Sequence, residues 1–314
     1  MPRRARIFVV GSFVAASSVR VARLPEAGQS LEASAFTFEA GGKGLNLAVA
    51  AHRLGAAVDG IMAVGNDPLA GLAEPALARA GLPASMLRRF EAQTGAGIGF
   101  TQDDGENCLA VFPGANRHLD AASLRQAASG LERADLTLAQ FEAPDGAIAE
   151  AFRIARGAGR ATLLNPSPFR IVTDAILRNT SILVVNASEA AALASASGMP
   201  SAGDAVLAAR IREQGPDLVV ITRGADGATA FPADGAPVRQ AAFPVTAVDA
   251  LGAGDGFAAG LAVALAEKRP LAEAMRRGAA CGALVVRSLG VFDALPTREA
   301  LERFLVAMPV LDCT

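Results

Sequence analysis

The chain has no tryptophan and no tyrosine, two histidines (His52, His118) and three cysteines (Cys108, Cys281, Cys313). Its 15 phenylalanines are the whole aromatic complement, which weakens a reading as a stacking platform for nucleic-acid bases or lectin-bound sugars. With no CxxC pair, neither a structural zinc site nor a disulfide framework is expected, and a reduced, cytoplasmic setting fits better. Charge is also scarce: charged residues make up 19% of the chain and the net charge is −2, which offers no footprint for nucleic acid or an anionic membrane. The longest uncharged stretches, Ala190–Gly203 and Ile7–Val19, run for 14 and 13 residues. Both fall short of the roughly 18–20 needed to cross a bilayer. The Walker pattern is missing. Gly252, Gly254 and Gly256 are spaced GxGxG near the end of the chain, which does not fit a dinucleotide fingerprint.

What is abundant is apolar mass. The hydrophobic set accounts for 52% of 314 residues, with 32 glycines besides, so a large core can offset chain entropy and a disordered chain is excluded. No repeat and no Pro/Ser-rich joint divides the sequence, and residues 1–314 read as one domain. A basic start (Met1–Arg6) followed by Ile7–Ala16 imitates a signal peptide, but the better reading is a first buried strand, Ile7–Val10, stopped by Gly11-Ser12.

Short apolar runs alternate with helical periodicity. Strands are expected at Ile7–Val10, Gly60–Val64, Leu136–Gln140, Ala161–Asn165, Ile182–Val185 and Leu218–Thr222, several of them continuous apolar runs suited to parallel strands covered on both faces. Helices are expected at Leu45–Leu54, Leu69–Ala80, Ala121–Ser129, Ala147–Arg156, Ser188–Ala196 and Ala205–Gln214. The region after Gly252 reads as helices Gly254–Glu267, Leu271–Val286 and Thr297–Val306. The alternation predicts an α/β fold with a parallel sheet between helices. Two segments, about 12–40 and 95–113, break it and read as strands of a small lid, the second with a hairpin turn at Asp104-Gly105.

Two glycine-rich turns carry the candidate chemistry. Asp249-Ala250-Leu251-Gly252-Ala253-Gly254-Asp255 leads into an apolar helix, so small residues leave backbone N–H groups uncovered at a helix start, where they can cradle an anion. Asp255 beside that cradle is placed to take a proton from an attacking hydroxyl. The bland alternative is an Asp on a Gly-rich turn. Gly41-Gly42-Lys43-Gly44-Leu45-Asn46 allows close backbone approach, an amide for hydroxyls and a compact positive charge, or is an ordinary helix entry.

In this order and spacing, the two turns resemble the signatures of the ribokinase-like (PfkB) family of sugar and nucleoside kinases, from about Ile7 to Leu305, with Gly41–Gly55 closest to its ribokinase branch. Gln140–Pro144, Asn165–Pro168, Asn186-Ala187-Ser188-Glu189 and Thr222–Gly227 resemble its intermediate landmarks. The resemblance implies a three-layer α/β/α sandwich with a mainly parallel central sheet, and an ATP-dependent kinase acting on a hydroxyl of a small sugar or sugar derivative. It implies Asp255 as base and the N–H groups of Ala253, Gly254 and Asp255, after Gly252, as the anion hole. Gly42, Lys43, Asn46 and Glu142 would line the acceptor pocket. Asn186, Thr222, Gly224, Gly227 and Gly254, with Gly278 in the helix Ala274–Gly282, would border the nucleotide. Glu189, with Asn186, would organise Mg²⁺ through water. Asp249 and the backbone of Leu251, Val285, Ser288 and Gly290 would match a monovalent-cation site, usually K⁺. Relatives of this kind often dimerise through the lid, so a homodimer is expected.

One departure matters. Where the family's first strand usually runs into Asn-x-Asp, whose Asp holds two sugar hydroxyls, this chain has Val14 and Ala16. A lost charged partner costs about 1–3 kcal/mol, a tenfold to hundredfold effect, so ribose is not the expected acceptor. Ala250 likewise replaces a Thr, which loosens the expected cation site. A nucleoside acceptor would call for an aromatic clamp from Phe13, Phe36, Phe38, Phe100 or Phe112, and a phosphosugar for a cation such as Arg88, Arg89 or Arg117. The alternative from another class is a ligand-binding or regulatory protein of the same fold without turnover.

Overall fold

A computed structural model describes residues 4–102 and 107–308. The hairpin turn expected at Asp104-Gly105 lies outside the described residues. Thirteen strands occur among them: β1 (Arg6–Val10), β2 (Val14–Val21), β3 (Ala35–Gly41), β4 (Ala57–Val64), β5 (Leu87–Arg89), β6 (Gly95–Gln102) and β7 (Asn107–Phe112). They continue with β8 (Leu136–Gln140), β9 (Ala161–Asn165), β10 (Ile182–Asn186), β11 (Leu218–Thr222), β12 (Ala228–Pro232) and β13 (Val238–Gln240). The helices are α1 (Lys43–Arg53), α2 (Ala73–Ala80), α3 (Ala121–Gln126), α4 (Ala128–Arg133), α5 (Asp145–Gly157) and α6 (Asp174–Leu177). After them come α7 (Ala187–Ala196), α8 (Asp204–Arg212), α9 (Ala253–Ala266), α10 (Leu271–Val285) and α11 (Arg298–Ala307).

Nine strands form one sheet in the order β13-β12-β11-β10-β9-β8-β1-β4-β5. Every pairing from β11 to β5 is parallel; only the edge pairs β11–β12 and β12–β13 are antiparallel. Alternate residues of β1 show why the apolar runs are continuous. Ile7 and Val9 enter one core layer with Leu45, Leu261 and Met275 from α1, α9 and α10. Phe8 and Val10 enter the other, with Ile148 and Phe152 of α5 and Leu193 of α7. Helices cover both faces, so side chains on both faces of β1 are buried from Ile7 to Val10. Ile7–Val10 is therefore part of an interior strand of the sheet, between β8 and β4, as the strand reading expects.

The lid is a separate four-stranded sheet, β3-β2-β6-β7. β2 pairs antiparallel with β3 and parallel with β6, which pairs antiparallel with β7. Three expectations change in detail. The helix expected at Ala121–Ser129 is two short ones, α3 and α4, because Ala127 leaves helical geometry and joins them. The helix expected from Leu69 begins with a 3₁₀ turn, Pro68–Leu72, and becomes α-helical at Ala73. The strands β5, β12 and β13 were not expected. Among the described residues no helix is long and apolar enough to cross a membrane.

Candidate active site

The polar residues picked out by sequence collect beyond the carboxyl ends of the parallel strands, where open α/β sheets bind their ligands. Glu142 follows β8, and Asn165, Asn186 and Thr222 end β9, β10 and β11; Ser12, following β1, joins them. Two helix starts close the same space. α1 begins at Lys43, and its Gly44 lies so near Ser12 that a Cβ there would stand 2.0 Å from the Ser12 backbone nitrogen. α9 begins after Gly252, whose left-handed φ of 78° turns the chain into the helix without a side-chain cap.

At the mouth of α9 the anion cradle is narrower than expected. The Ala253 N–H folds back toward the Ala250 carbonyl at 3.3 Å. No protein acceptor among the described residues meets the N–H groups of Gly254 and Asp255, so these two remain to hold an anion. The Asp255 carboxylate is buried: Oδ2 accepts the Asn46 Nδ2–H at 2.8 Å, whereas Oδ1 accepts no hydrogen bond from the described residues. The Lys43 Nζ lies 3.6 Å from that Oδ1. The negative charge of Asp255, opposing the cost of burial, holds the Lys43 ammonium above its ordinary range, so it stays charged at neutral pH. A carboxylate oxygen with a vacant lone pair, beside a fixed cation and two uncovered amides, can take a proton while anionic charge develops next to it.

The acceptor side is held together by a residue that sequence reasoning missed. The buried Ser12 hydroxyl donates to Glu142 Oε2 at 2.6 Å and accepts from the Gly44 N–H at 3.0 Å and Gln140 Nε2 at 3.1 Å. The same Glu142 oxygen accepts the Lys43 backbone N–H at 2.9 Å. Burial raises the Glu142 carboxyl above its ordinary range, partly opposed by these bonds. A lone serine after a strand has no pattern to betray it; only the approach of α1 gives it meaning. Gly42, at φ 103°, caps α1 and brings Lys43 and Asn46 into the site.

Two cavities meet at Gly254. A polar one of about 350 Å³ is lined by Lys43, Asn165, Asn186, Glu189, Thr222, Leu251, Gly252 and Asp255. An apolar one of about 340 Å³ lies between Gly224, Gly227, Phe243, Val245, Ala279, Gly282 and Ala283. They share Thr222, Ala250, Gly254 and Phe257. Gly278 does not line either: its missing side chain lets α10 pack on α9, where a Cβ would meet the Phe257 carbonyl at 3.0 Å. The residues of α10 that face the apolar cavity are one helical face over, at Ala279, Gly282 and Ala283. A cavity of about 970 Å³ at the opposite ends of the strands is larger. Its arginines are committed elsewhere: Arg4 and Arg160 cap backbone carbonyls, and Arg269 and Arg298 pair with Glu267.

Asn186 and Glu189 form a capping box on α7, each side chain bonded to the other's backbone N–H at 2.9 Å. Both still line the polar cavity, where burial raises the Glu189 carboxyl. One carboxylate beside a phosphate-sized space suits Mg²⁺, which keeps most of its waters. Asp249 is buried, and among the described residues its carboxylate accepts backbone N–H groups, from Leu251 at 2.9 Å and Gly290 at 3.2 Å. No lysine or arginine among the described residues pairs with it, so a monovalent cation fits the unbalanced charge. Val285 ends α10, and its carbonyl accepts the Ser288 N–H at 3.3 Å.

The register of the lid sorts the remaining candidates. Val14, Ala16 and Ser18 of β2 share a face with Glu39, Gly97, Gly99 and Leu109. Phe36, Phe38, Phe100 and Phe112 point to the other face, and Phe13 is in the core, its backbone held by Asn116. The aromatic clamp wanted for a nucleoside is therefore on the wrong side. Arg89 pairs with Glu74, and Arg88 donates to the carbonyls of Ser85 and Leu87.

Comparison with known proteins agrees with this geometry. Residues 4–298 match the pfkB family carbohydrate kinase profile. The chain belongs to the PfkB family. This PfkB kinase is 31% identical over 304 residues to a ribokinase of Haemophilus influenzae, covering 96% of this chain and 99% of that one. It is 28% identical to a deoxyribokinase of Salmonella typhi, covering 95% and 98%. Its fold superposes on an Arabidopsis thaliana ribokinase solved with ribose and ATP at a TM-score of 0.87, with 27% identity and coverage of 96% and 99%. It is thus a carbohydrate kinase, a phosphotransferase with a ribokinase fold.

Proposed function

We propose that this PfkB kinase transfers the γ-phosphate of ATP to a hydroxyl of a small sugar or sugar derivative, with Asp255 as the base. The observation that carries the reading is the vacant Asp255 Oδ1 beside the uncovered N–H groups of Gly254 and Asp255. The acceptor hydroxyl gives its proton to Oδ1 as its oxygen bonds to the γ-phosphorus, and the bond from phosphorus to the β-phosphate oxygen breaks. The two amides and the Lys43 ammonium hold the charge on the transferring group. The apolar cavity suits the base of the nucleotide and the polar one its phosphates. Mg²⁺ near Glu189 would neutralise phosphate charge, and K⁺ at Asp249 and the backbone of Leu251, Val285, Ser288 and Gly290 would stiffen the turn at Gly252. Gly42, Lys43, Asn46 and Glu142 serve the acceptor.

The acceptor itself is proposed from Val14 and Ala16. That lid face offers an acceptor no charged partner at the two positions, which favours a sugar that is deoxygenated or carries an apolar group there over ribose. The ribokinase names of several relatives weigh toward ribose, whereas the deoxyribokinase relative is named for a deoxygenated pentose. The whole chain is proposed to act as one cytoplasmic unit with an inserted lid. A homodimer would cover the outer lid face, where Phe36, Phe38, Ile98 and Phe112 are exposed.

The test is an ADP-release screen over ribose, deoxyribose, other sugars, sugar acids, phosphosugars and nucleosides, with and without K⁺. Turnover with a sugar supports the kinase. Binding of ATP without turnover on any acceptor would favour the non-catalytic reading, and the highest kcat/KM on ribose would overturn the acceptor assignment.

A further inference from the structure

Glu39 lies on β3, on the lid face that carries Ala16, its partner across the strands. Its side chain reaches toward the loop at Gly290. A Cβ placed on Gly290 would stand 3.6 Å from Glu39 Oε1. Burial, with Asp293 nearby, raises the Glu39 carboxyl above its ordinary range, opposed in part by Arg79 and the Val291 backbone. Asp293, Asp249 and Arg79 all act on it through space. The loop that Glu39 touches is the one that finishes the α9 turn. The Gly290 N–H donates to Asp249 Oδ2 at 3.2 Å, and a Cβ on Gly252 would lie 2.4 Å from Val291 Cγ1. Gly290 and Val291 thus bear on the two ends of the turn that presents the anion-holding amides.

The far end of this loop is fixed to the body. Arg53 donates to the carbonyls of Phe292 and Leu295 at 2.7 and 2.9 Å, and the guanidinium groups of Arg53 and Arg79 lie 5.3 and 4.9 Å from the Phe292 ring centroid. Arg79 also pairs with Asp293. The near end, at Gly290 and Val291, lies against the lid and the α9 turn, and the Val291 carbonyl accepts the Ala294 and Leu295 N–H groups at 3.1 and 3.2 Å. Lid position and turn geometry therefore have one side chain in common.

We propose that Glu39 is a positioning residue for phosphoryl transfer, tying lid strand β3 to the loop 288–291 so that lid placement and the Gly252 turn are set together. Its charge adds to that of Asp249 and strengthens the hold on a monovalent cation at the same turn. The proposal rests on the kinase reading above.

Glu39→Ala and Glu39→Gln separate the tether from the charge. The readouts are the K⁺ concentration giving half the maximal rise in Tm, with Na⁺ as control, and kcat against the KM for ATP. Glu39→Ala is expected to raise the K⁺ midpoint by about three- to tenfold and to lower kcat with the KM for ATP unchanged. Glu39→Gln keeps an oxygen for Val291 and is expected to recover most of the lost kcat while its K⁺ midpoint stays as high as that of the alanine variant. A wild-type Tm indifferent to K⁺, or an alanine variant with the wild-type midpoint, would overturn the proposal. Absence of turnover on every acceptor would sink the kinase reading instead, and the thermal arm would still decide the role of Glu39.

Discussion

Replacing Gly254 by alanine adds a single methyl group at the second residue of α9, and its consequences for stability and catalysis should part company. Apart from its chain neighbours and the helix's own backbone, no atom of the described residues lies within 4 Å of where that Cβ would go, and the backbone there is already helical. Alanine in place of glycine gains up to about 1 kcal/mol inside a helix and less in its first turn. The folded protein should be unchanged or slightly firmer. The methyl, however, stands on the rim common to both cavities, where the transferring phosphate must approach the Gly254 and Asp255 amides. Losing one such donor elsewhere costs about 10²–10³ in rate, or about 2.7–4 kcal/mol. Gly252→Ala is the contrasting case. At φ 78°, with Val291 Cγ1 only 2.4 Å from the new Cβ, it strains the backbone and collides with the core side of the loop. A loss of about 1–3 kcal/mol in stability is expected together with the loss of rate. Thermal melts and coupled ADP release on both variants decide the matter. A Gly254→Ala enzyme with wild-type kcat/KM, or one as unstable as Gly252→Ala, would refute the placement of the phosphate.

Ser12→Ala removes a buried hydroxyl with three partners and should cost about 1–3 kcal/mol in denaturant melts, with a higher KM for the acceptor. Burial raises the Glu142 carboxyl above its ordinary 4.5, so the wild-type protein holds the neutral form more readily and loses that contribution as pH rises through the raised value. The Tm of Glu142→Gln relative to wild type should therefore increase from pH 4 to pH 7; a flat or falling difference would contradict the assignment. Burial also pushes the Cys281 thiol up to about 12, whereas Cys108 is exposed, so iodoacetamide at pH 8 should label Cys108 and spare Cys281 on peptide mapping.

Much of this was legible in the residues. Continuous apolar runs such as Ile182–Val185 and Leu218–Ile221 mark strands covered on both faces, and they are strands that carry the site at their ends. The small residues before Asp255 marked an uncapped helix start. What escaped depends on which face meets which. Gly278 lies on the right helix but the wrong side of it, a matter of about one residue's rotation that a periodic pattern does not fix. The phenylalanines of the lid look available for a base until the register puts them opposite Val14 and Ala16. Ser12 owes its role to contacts with Gly44 and Glu142, 32 and 130 residues away, and no local pattern encodes such a meeting. Edge strand β13 is three residues long, and β12 beside it is interrupted by Thr229 and ends at Pro232, so neither shows the apolar run that reveals their neighbours.

The central claim is that Asp255 readies an alcohol while the adjoining amides hold the phosphoryl group. Asp255→Asn tests it most directly, because asparagine keeps the size and can still meet Asn46 but accepts no proton. Turnover measured with the best acceptor from the screen should fall by about 10²–10⁴ while ATP binding, followed by calorimetry, persists. Turnover at the wild-type level would contradict the account.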